Sequence, residues 1–255
     1  MDVVIVGEAP FEAGVYDRCV AAGYRCTLWA GNEVSGIRSG EASLDQIGSA
    51  DVVVEMHNTS AAAKRTLLEG LTDQAPGEAT WLSLAMATSA TQAAAWLSNP
   101  ARVVGFGLIP PLGDNPVIEV APALQSSEYH LAAGETFWQG AGFETVRVSD
   151  GPGLVRARIL CCLINEAASA LMEGVASAED IDLAMKLGTN YPHGPLEWAD
   201  HLGLDVVLAV MTGLFEEWGD DRYRPTPLLR RMVLAGRLGE KSGRGFYDYD
   251  RDQPE

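Results

Sequence analysis

The chain is expected to fold as an α/β protein, a doubly wound parallel sheet followed by an all-helical C-terminal domain. Three observations predict this. Short β-like runs alternate with helical stretches over residues 1–150. After Asp150 the alternation stops and only helical periodicity continues. Between the two lies Asp150-Gly151-Pro152-Gly153, a Gly/Pro cluster of the kind that punctuates a chain. The domains are therefore read as 1–150 and 151–255.

The elements follow in order. Residues 3–6 are an apolar run that meets a glycine-containing turn at once, and residues 11–22 form the next helix, with Gly23 as a left-handed cap. Residues 25–29 make a second strand, and a stretch rich in Gly and Ser, 31–50, leads to a strand at 52–55. A helix at 61–71, a strand at 80–83, a helix at 91–97 and a strand at 102–106 continue the alternation. A strand at 117–120, a helix at 127–139 and a strand at 145–148 complete it. In the second domain, residues 154–173 carry Leu, Ile and Ala at helical spacing and stop at Gly174. Ser177-Ala178-Glu179-Asp180 is a helix start signal. Residues 205–218 and 227–234 are further amphipathic helices. The tail 243–249, glycine-rich and aromatic, is expected to be pinned to the surface of the bundle.

Composition narrows the function. A chain of 255 residues with 47% hydrophobic content can bury a sizeable core. Its formal charge of −17 argues against nucleic acid and against an anionic membrane surface, because both require clustered Lys and Arg. No apolar run approaches the roughly 18 residues of a membrane span, and Met1-Asp2 opens no signal peptide. The expected location is cytoplasmic and reducing. None of the four cysteines forms a C-x-x-C pair, and adjacent Cys161 and Cys162 read as small buried side chains. Of the four histidines, His193 and His201 show no recognised metal spacing, so no metal is expected.

Five motifs in the second domain carry a resemblance. They are Pro152-Gly153-Leu154, Asn165-Glu166-Ala167, Glu179-Asp180-Ile181-Asp182, Tyr191-Pro192-His193-Gly194-Pro195-Leu196-Glu197 and Lys241-Ser242-Gly243-Arg244-Gly245-Phe246-Tyr247. In order and spacing they resemble the C-terminal domain of 3-hydroxyacyl-CoA dehydrogenases. The resemblance implies a Rossmann-like first domain that binds NAD, an acyl-CoA ligand, a place in fatty-acid metabolism, and a helical domain that dimerises with itself or with a second subunit.

Residue by residue, the implied chemistry is depleted. A dinucleotide fingerprint G-x-G-x-x-G belongs after the first strand, where the glycines allow a tight turn and close approach of the pyrophosphate. Gly7 keeps the first place, while Ala9 and Glu12 take the second and third. A glutamate beside a diphosphate costs roughly 4 kcal/mol per unit-charge pair at ~4 Å and an effective dielectric near 20. The acidic residue expected at the end of the second strand is Ala30. The resemblance places the general-base His at Gly107 and a neighbouring Asn at Pro110, while the carboxylate that orients the His persists as Glu119. That Glu119 is expected to face solvent or a new partner. The S-N-T-S-S loop of the family matches Ser83-Leu84-Ala85-Met86-Ala87, and its substrate-polarising Asn matches Ala157. Each such loss typically costs a factor of roughly 100 to 1,000.

Some ligand-facing positions remain. Lys64 and Lys241 match cofactor-side lysines of the family, and each reads equally well as a solvated cation. His57, just past the strand at 52–55, lies on the ligand-binding edge of such a sheet and is the candidate replacement base; its alternative is an exposed loop residue. Residues 31–50 are too few for the helical hairpin that shields CoA in the family.

Two readings stay open. In one, the chain is a catalytically impaired relative acting as a scaffold, a partner subunit or a weak acyl-CoA binder, with Leu154, Ile159, Leu163 and Leu171 as core or dimer-face residues. In the other, it oxidises 3-hydroxyacyl-CoA to 3-oxoacyl-CoA with NAD through a rebuilt site using His57, Lys64, Lys241 and Glu119.

Overall fold

A computed structural model describes residues 1–30, 44–113 and 116–249. The chain divides into two compact units, Met1–Arg156 and the residues from Ala157 onward.

The first unit is built on one sheet of seven strands in the order β2-β1-β3-β4-β5-β6-β7. These are β1 (Asp2–Gly7), β2 (Arg25–Ala30), β3 (Val52–Met56), β4 (Thr80–Leu84), β5 (Val103–Gly107), β6 (Val117–Pro122) and β7 (Glu144–Arg147). Helices α1 (Glu12–Ala21), α2 (Ala61–Leu71), α3 (Ala90–Ala94) and α4 (Glu128–Gly140) connect them. Every residue of β3, β4 and β5 is buried, as strands covered on both faces by helices must be. Val4, Val53, Leu68 and Trp81 share one apolar cluster with Ala90 and Ala93 of α3.

Local sequence explains the helix starts. Ser60, Ser89 and Ser127 each turn Oγ onto the backbone N–H three residues on, which satisfies an otherwise unpaired donor. Gly23 ends α1 with φ +80°, the left-handed cap expected there. α3 is shorter than the predicted 91–97.

The sheet is parallel from β2 to β5 and again between β6 and β7, but β5 and β6 run antiparallel. The sheet is thus mostly parallel, as expected, with one antiparallel pair. The connection 108–116 is shorter than the dozen or more residues a parallel crossover needs. Strand order reverses about β1, so the carboxyl ends of β1 and β3 border the crevice where ligands bind in open α/β sheets. The shortened segment read in 31–50 lies outside the described residues as far as residue 43; from there Leu44–Ser49 form a 3-10 turn.

The second unit is helical: α5 (Arg156–Met172), α6 (Ala178–Thr189), α7 (Pro195–Leu202), α8 (Leu204–Trp218) and α9 (Pro227–Leu234). Ser177 caps α6 as its sequence signal requires. α7 is a helix that the sequence reading leaves unassigned. Its start signal was present: a glycine cap at Gly194, proline at the first position, and Glu197 reaching back to the Gly194 N–H at 3.3 Å. The buried Asp182 carboxylate then accepts from the N–H groups of Leu196 (2.9 Å) and Glu197 (2.8 Å). Asp200, also buried, accepts from the N–H groups of Phe246 (2.9 Å) and Tyr247 (2.8 Å) and the Tyr249 hydroxyl (3.2 Å), and so pins the tail as expected.

The four leucine and isoleucine positions divide by role. Leu154 is buried in the first unit with Ala85 and Ala121. On α5, Ile159 is 61% exposed, while Leu163 and Leu171 are half-buried. Among the described residues no single helix is long and apolar enough to cross a membrane. All four cysteines are free thiols, and burial pushes the Cys19 thiol up to about 12.

Candidate active site

Glu55 closes β3 at the carboxyl edge of the sheet and is fully buried. Lys64 on α2 places Nζ 2.8 Å from Glu55 Oε2, and Ser83 on β4 donates its hydroxyl to the same oxygen at 2.8 Å. The His57 N–H donates to Glu55 Oε1 at 2.7 Å. Burial alone would raise the Glu55 pKa, but the Lys64 charge and the His57 and Lys64 contacts together hold it below the usual carboxylate range. The Lys64 ammonium also donates to the carbonyls of Leu84 (2.6 Å) and His57 (3.2 Å). Its three donors are therefore committed inside the protein, and Lys64 is 1% exposed. The solvated alternative for Lys64 does not hold. His57 is buried too, with its Nδ1 3.5 Å from Glu55 Oε1, not exposed on a loop. Ser83, matched to a substrate-contacting serine, is occupied by Glu55.

The turn after β1 is shaped by a residue that sequence reading passed over. Glu8 is buried, and its Oε1 accepts from the N–H groups of Asn58 (2.7 Å) and Thr59 (2.6 Å) while Oε2 accepts from the Thr59 hydroxyl (2.8 Å). A carboxylate thus fills the donors of the loop leading into α2. Asn58 in turn accepts the Ala87 N–H at 2.9 Å, which ties this loop to the segment after β4. A side chain at Gly7 would be tightly crowded: a Cβ there would stand 3.0 Å from Met56 Cβ and 3.2 Å from Glu12 Cβ. That close approach explains Gly7 as packing, with or without a cofactor. Glu12 opens α1, and its Oε2 is shielded from solvent with no hydrogen-bond partner among the described residues. A dinucleotide diphosphate normally lies at this helix start, drawn by unpaired N–H groups and the positive end of the dipole. Here it would meet a carboxylate, so these residues do not fit the group in its usual place.

Glu119 on β6 stands directly opposite Gly107 on β5. A Cβ built at Gly107 would lie 3.2 Å from Glu119 Oε2 and 2.9 Å from Leu154 Cδ1. The space toward which a base at this position would project is taken by leucine. Glu119 is 4% exposed and accepts from the Arg156 N–H at 3.1 and 3.3 Å. Its new partner is thus a helix start rather than an imidazole, and solvent is not reached. Burial raises its pKa above the usual carboxylate range, outweighing the Arg156 contacts.

In the second unit, Ala157 is buried on α5 and offers no polar group. Lys241 pairs with Asp205 at 2.7 Å and keeps partial exposure. α7 and the residue just before its cap bring ligand-type atoms of His193, Glu197 and His201 within 4.8 Å of one another. A sequence reading confined to the two histidines missed this set. The signal was His-x3-Glu-x3-His, two successive helical steps of four residues with Glu197 in the middle.

The fold and these positions define an open dinucleotide-type α/β unit followed by a helical unit. The family model for the NAD binding domain of 3-hydroxyacyl-CoA dehydrogenase matches residues 17–151, and that for the C-terminal domain matches residues 153–249. The chain belongs to the 3-hydroxyacyl-CoA dehydrogenase family. It is 40% identical over 208 residues to a probable 3-hydroxybutyryl-CoA dehydrogenase of Bacillus subtilis, covering 82% of this chain and 72% of that one. It is 37% identical over 211 residues to a 3-hydroxybutyryl-CoA dehydrogenase of Bradyrhizobium diazoefficiens, covering 83% and 72%. The crystal structure of (S)-3-hydroxybutyryl-CoA dehydrogenase from Ralstonia eutropha superposes with a TM-score of 0.81 at 31% identity, covering 98% of this chain and 99% of that one.

Proposed function

We propose that this chain is a member of the family impaired in hydride transfer, acting as a scaffold, a partner subunit or a weak acyl-CoA binder. One observation carries the reading. Glu119 faces Gly107 across the β5–β6 pair, with Leu154 against the space a base would use. General-base catalysis needs a titratable group within hydrogen-bond reach of the substrate, and neither Gly107 nor Ala157 is one. The carboxylates of Glu8 and Glu12 support weak NAD affinity by the same reasoning. Exposed Leu183 and Leu187, neighbours one turn apart on α6, support a homodimer or mixed dimer through the helical unit. The four free thiols support a reducing, cytoplasmic setting.

The alternative is NAD-dependent oxidation of 3-hydroxyacyl-CoA through a rebuilt site, favoured by the 40% identity to a probable 3-hydroxybutyryl-CoA dehydrogenase. It requires His57 as base, and that imidazole is buried beside Glu55.

The Glu119→Gln variant separates the two. Because burial raises the folded pKa of Glu119, its favourable contribution is complete below the unfolded carboxylate value and is lost as pH rises through the folded one. In the impaired protein, Glu119→Gln is expected to raise the Tm at pH 8. The gain should vanish near pH 4. NADH oxidation with acetoacetyl-CoA should stay at background in both proteins. Wild-type turnover abolished by Glu119→Gln would establish the alternative.

A further inference from the structure

We propose that His193, Glu197 and His201 form a site for a divalent transition-metal ion of the zinc class on α7. Nothing in the proposed dehydrogenase-type site uses these residues, and the proposal is independent of that reading.

The geometry begins with one oxygen. Glu197 Oε2 is held by the Gly194 N–H at 3.3 Å and by Lys186 Nζ at 3.4 Å. Oε1 is the oxygen left facing the imidazoles, 3.0 Å from His193 Nδ1 and 3.8 Å from His201 Nε2. Ligands bound tetrahedrally at ~2.1 Å lie roughly 3.4 Å apart. The two observed separations bracket that value, and all three ligand atoms lie within 4.8 Å of one another. The ring centroids of His193 and His201 are 5.0 Å apart in an edge arrangement, which leaves them in reach of a common centre.

A second feature, independent of this spacing, points the same way. The Nδ1 of His201 lies 2.7 Å from Glu240 Oε1. A carboxylate on the far nitrogen of an imidazole fixes its tautomer and strengthens the near nitrogen as a ligand, the arrangement that commonly supports metal-bound histidines. With Nδ1 directed to Glu240, Nε2 is the His201 nitrogen left facing Glu197 Oε1. The ring is partly exposed on a cavity of 570 Å³ that Glu197 also lines, which gives an ion a way in. The net charge of −17 raises the local concentration of cations. Two imidazoles and one carboxylate suit zinc and neighbouring ions better than calcium or magnesium, which prefer all-oxygen sets. Lys186 is the opposing charge, and it sits on the oxygen that faces away from the proposed ion.

The test uses the full-length chain without an affinity tag, stripped with chelator and titrated with zinc chloride by calorimetry at pH 7.5. The expected result is one equivalent bound at micromolar or tighter Kd. Each of His193→Ala and His201→Ala should weaken binding at least ~30-fold, in line with loss of one ligand. Glu240→Gln should weaken it ~10-fold, and Lys186→Met should tighten it. Cobalt chloride should give visible absorption bands of a tetrahedral centre in the wild type and lose them in the double histidine variant. Zinc binding that is absent, or that persists unchanged in His193→Ala/His201→Ala with native circular dichroism, overturns the proposal.

Discussion

Lys64→Met is expected to lower the free energy of unfolding by about 3–5 kcal/mol, measured by urea denaturation. The cause is not the lost attraction alone. Glu55 is fully buried, and Lys64 is the one cation within 2.8 Å of it among the described residues. Removing Lys64 leaves a carboxylate in an apolar interior with Ser83 and His57 beside it but no lysine charge. Glu55→Gln combined with Lys64→Met should recover half or more of the loss, because the orphaned charge is gone. The pH dependence follows from the lowered folded pKa. The stabilisation from Glu55 is present above the unfolded carboxylate value and disappears as pH falls through the folded value. The deficit of Lys64→Met should therefore shrink toward acid pH, where the carboxyl is neutral in the variant. A loss below 1 kcal/mol at pH 7 would mean that Lys64 turns out to solvent or to a ligand, which would restore it as a cofactor-side cation.

The second large effect is placed in the helical unit. Asp200→Ala is expected to cost about 3 kcal/mol, since it strands two backbone N–H groups and a phenol hydroxyl at once. It should also release the tail. Hydrogen exchange at Phe246 and Tyr247 would rise to rates typical of a frayed terminus. Asp200→Asn keeps one acceptor oxygen and should lose less. Tail amides that remain protected in Asp200→Ala would show that the aromatic packing of Phe246 and Tyr247, not the carboxylate, holds the segment.

Much of this molecule can be read in its residues, for identifiable reasons. The strands of the first unit are short runs of Val, Ile and Leu between turn signals, and such runs declare themselves. Ser60, Ser127 and Ser177 announce helix starts by a local bond that spacing alone reveals. The Gly107–Glu119 relation was legible because motif order preserves strand register. What escaped were relations between distant residues. The antiparallel β5–β6 pair depends on the length of a connection, not on any residue's preference. Glu8 lies in the very turn that sequence reading inspected, yet its partners Asn58 and Thr59 are some fifty positions away. A charged side chain in a turn reads as solvated until a loop folds over it. Lys64 and Glu55 show the same limit from the other side. Their spacing suits a ligand-facing lysine, and only burial reveals that they answer each other. The tail motif Lys241-Ser242-Gly243-Arg244-Gly245-Phe246-Tyr247 reads as a cofactor signature by resemblance, whereas much of it serves Asp200 and Asp182. Motifs kept for packing and motifs kept for chemistry look alike in a single chain.

We propose that Glu8 and Glu12 disfavour a dinucleotide diphosphate at the turn after β1, and that Leu154 fills the space of the base position. Calorimetric titration of the purified protein with NADH, with thermal shift alongside, tests it most directly. No heat and no stabilisation are expected up to millimolar NADH. Micromolar binding would contradict it, and it would show that the two glutamates move aside when the diphosphate arrives.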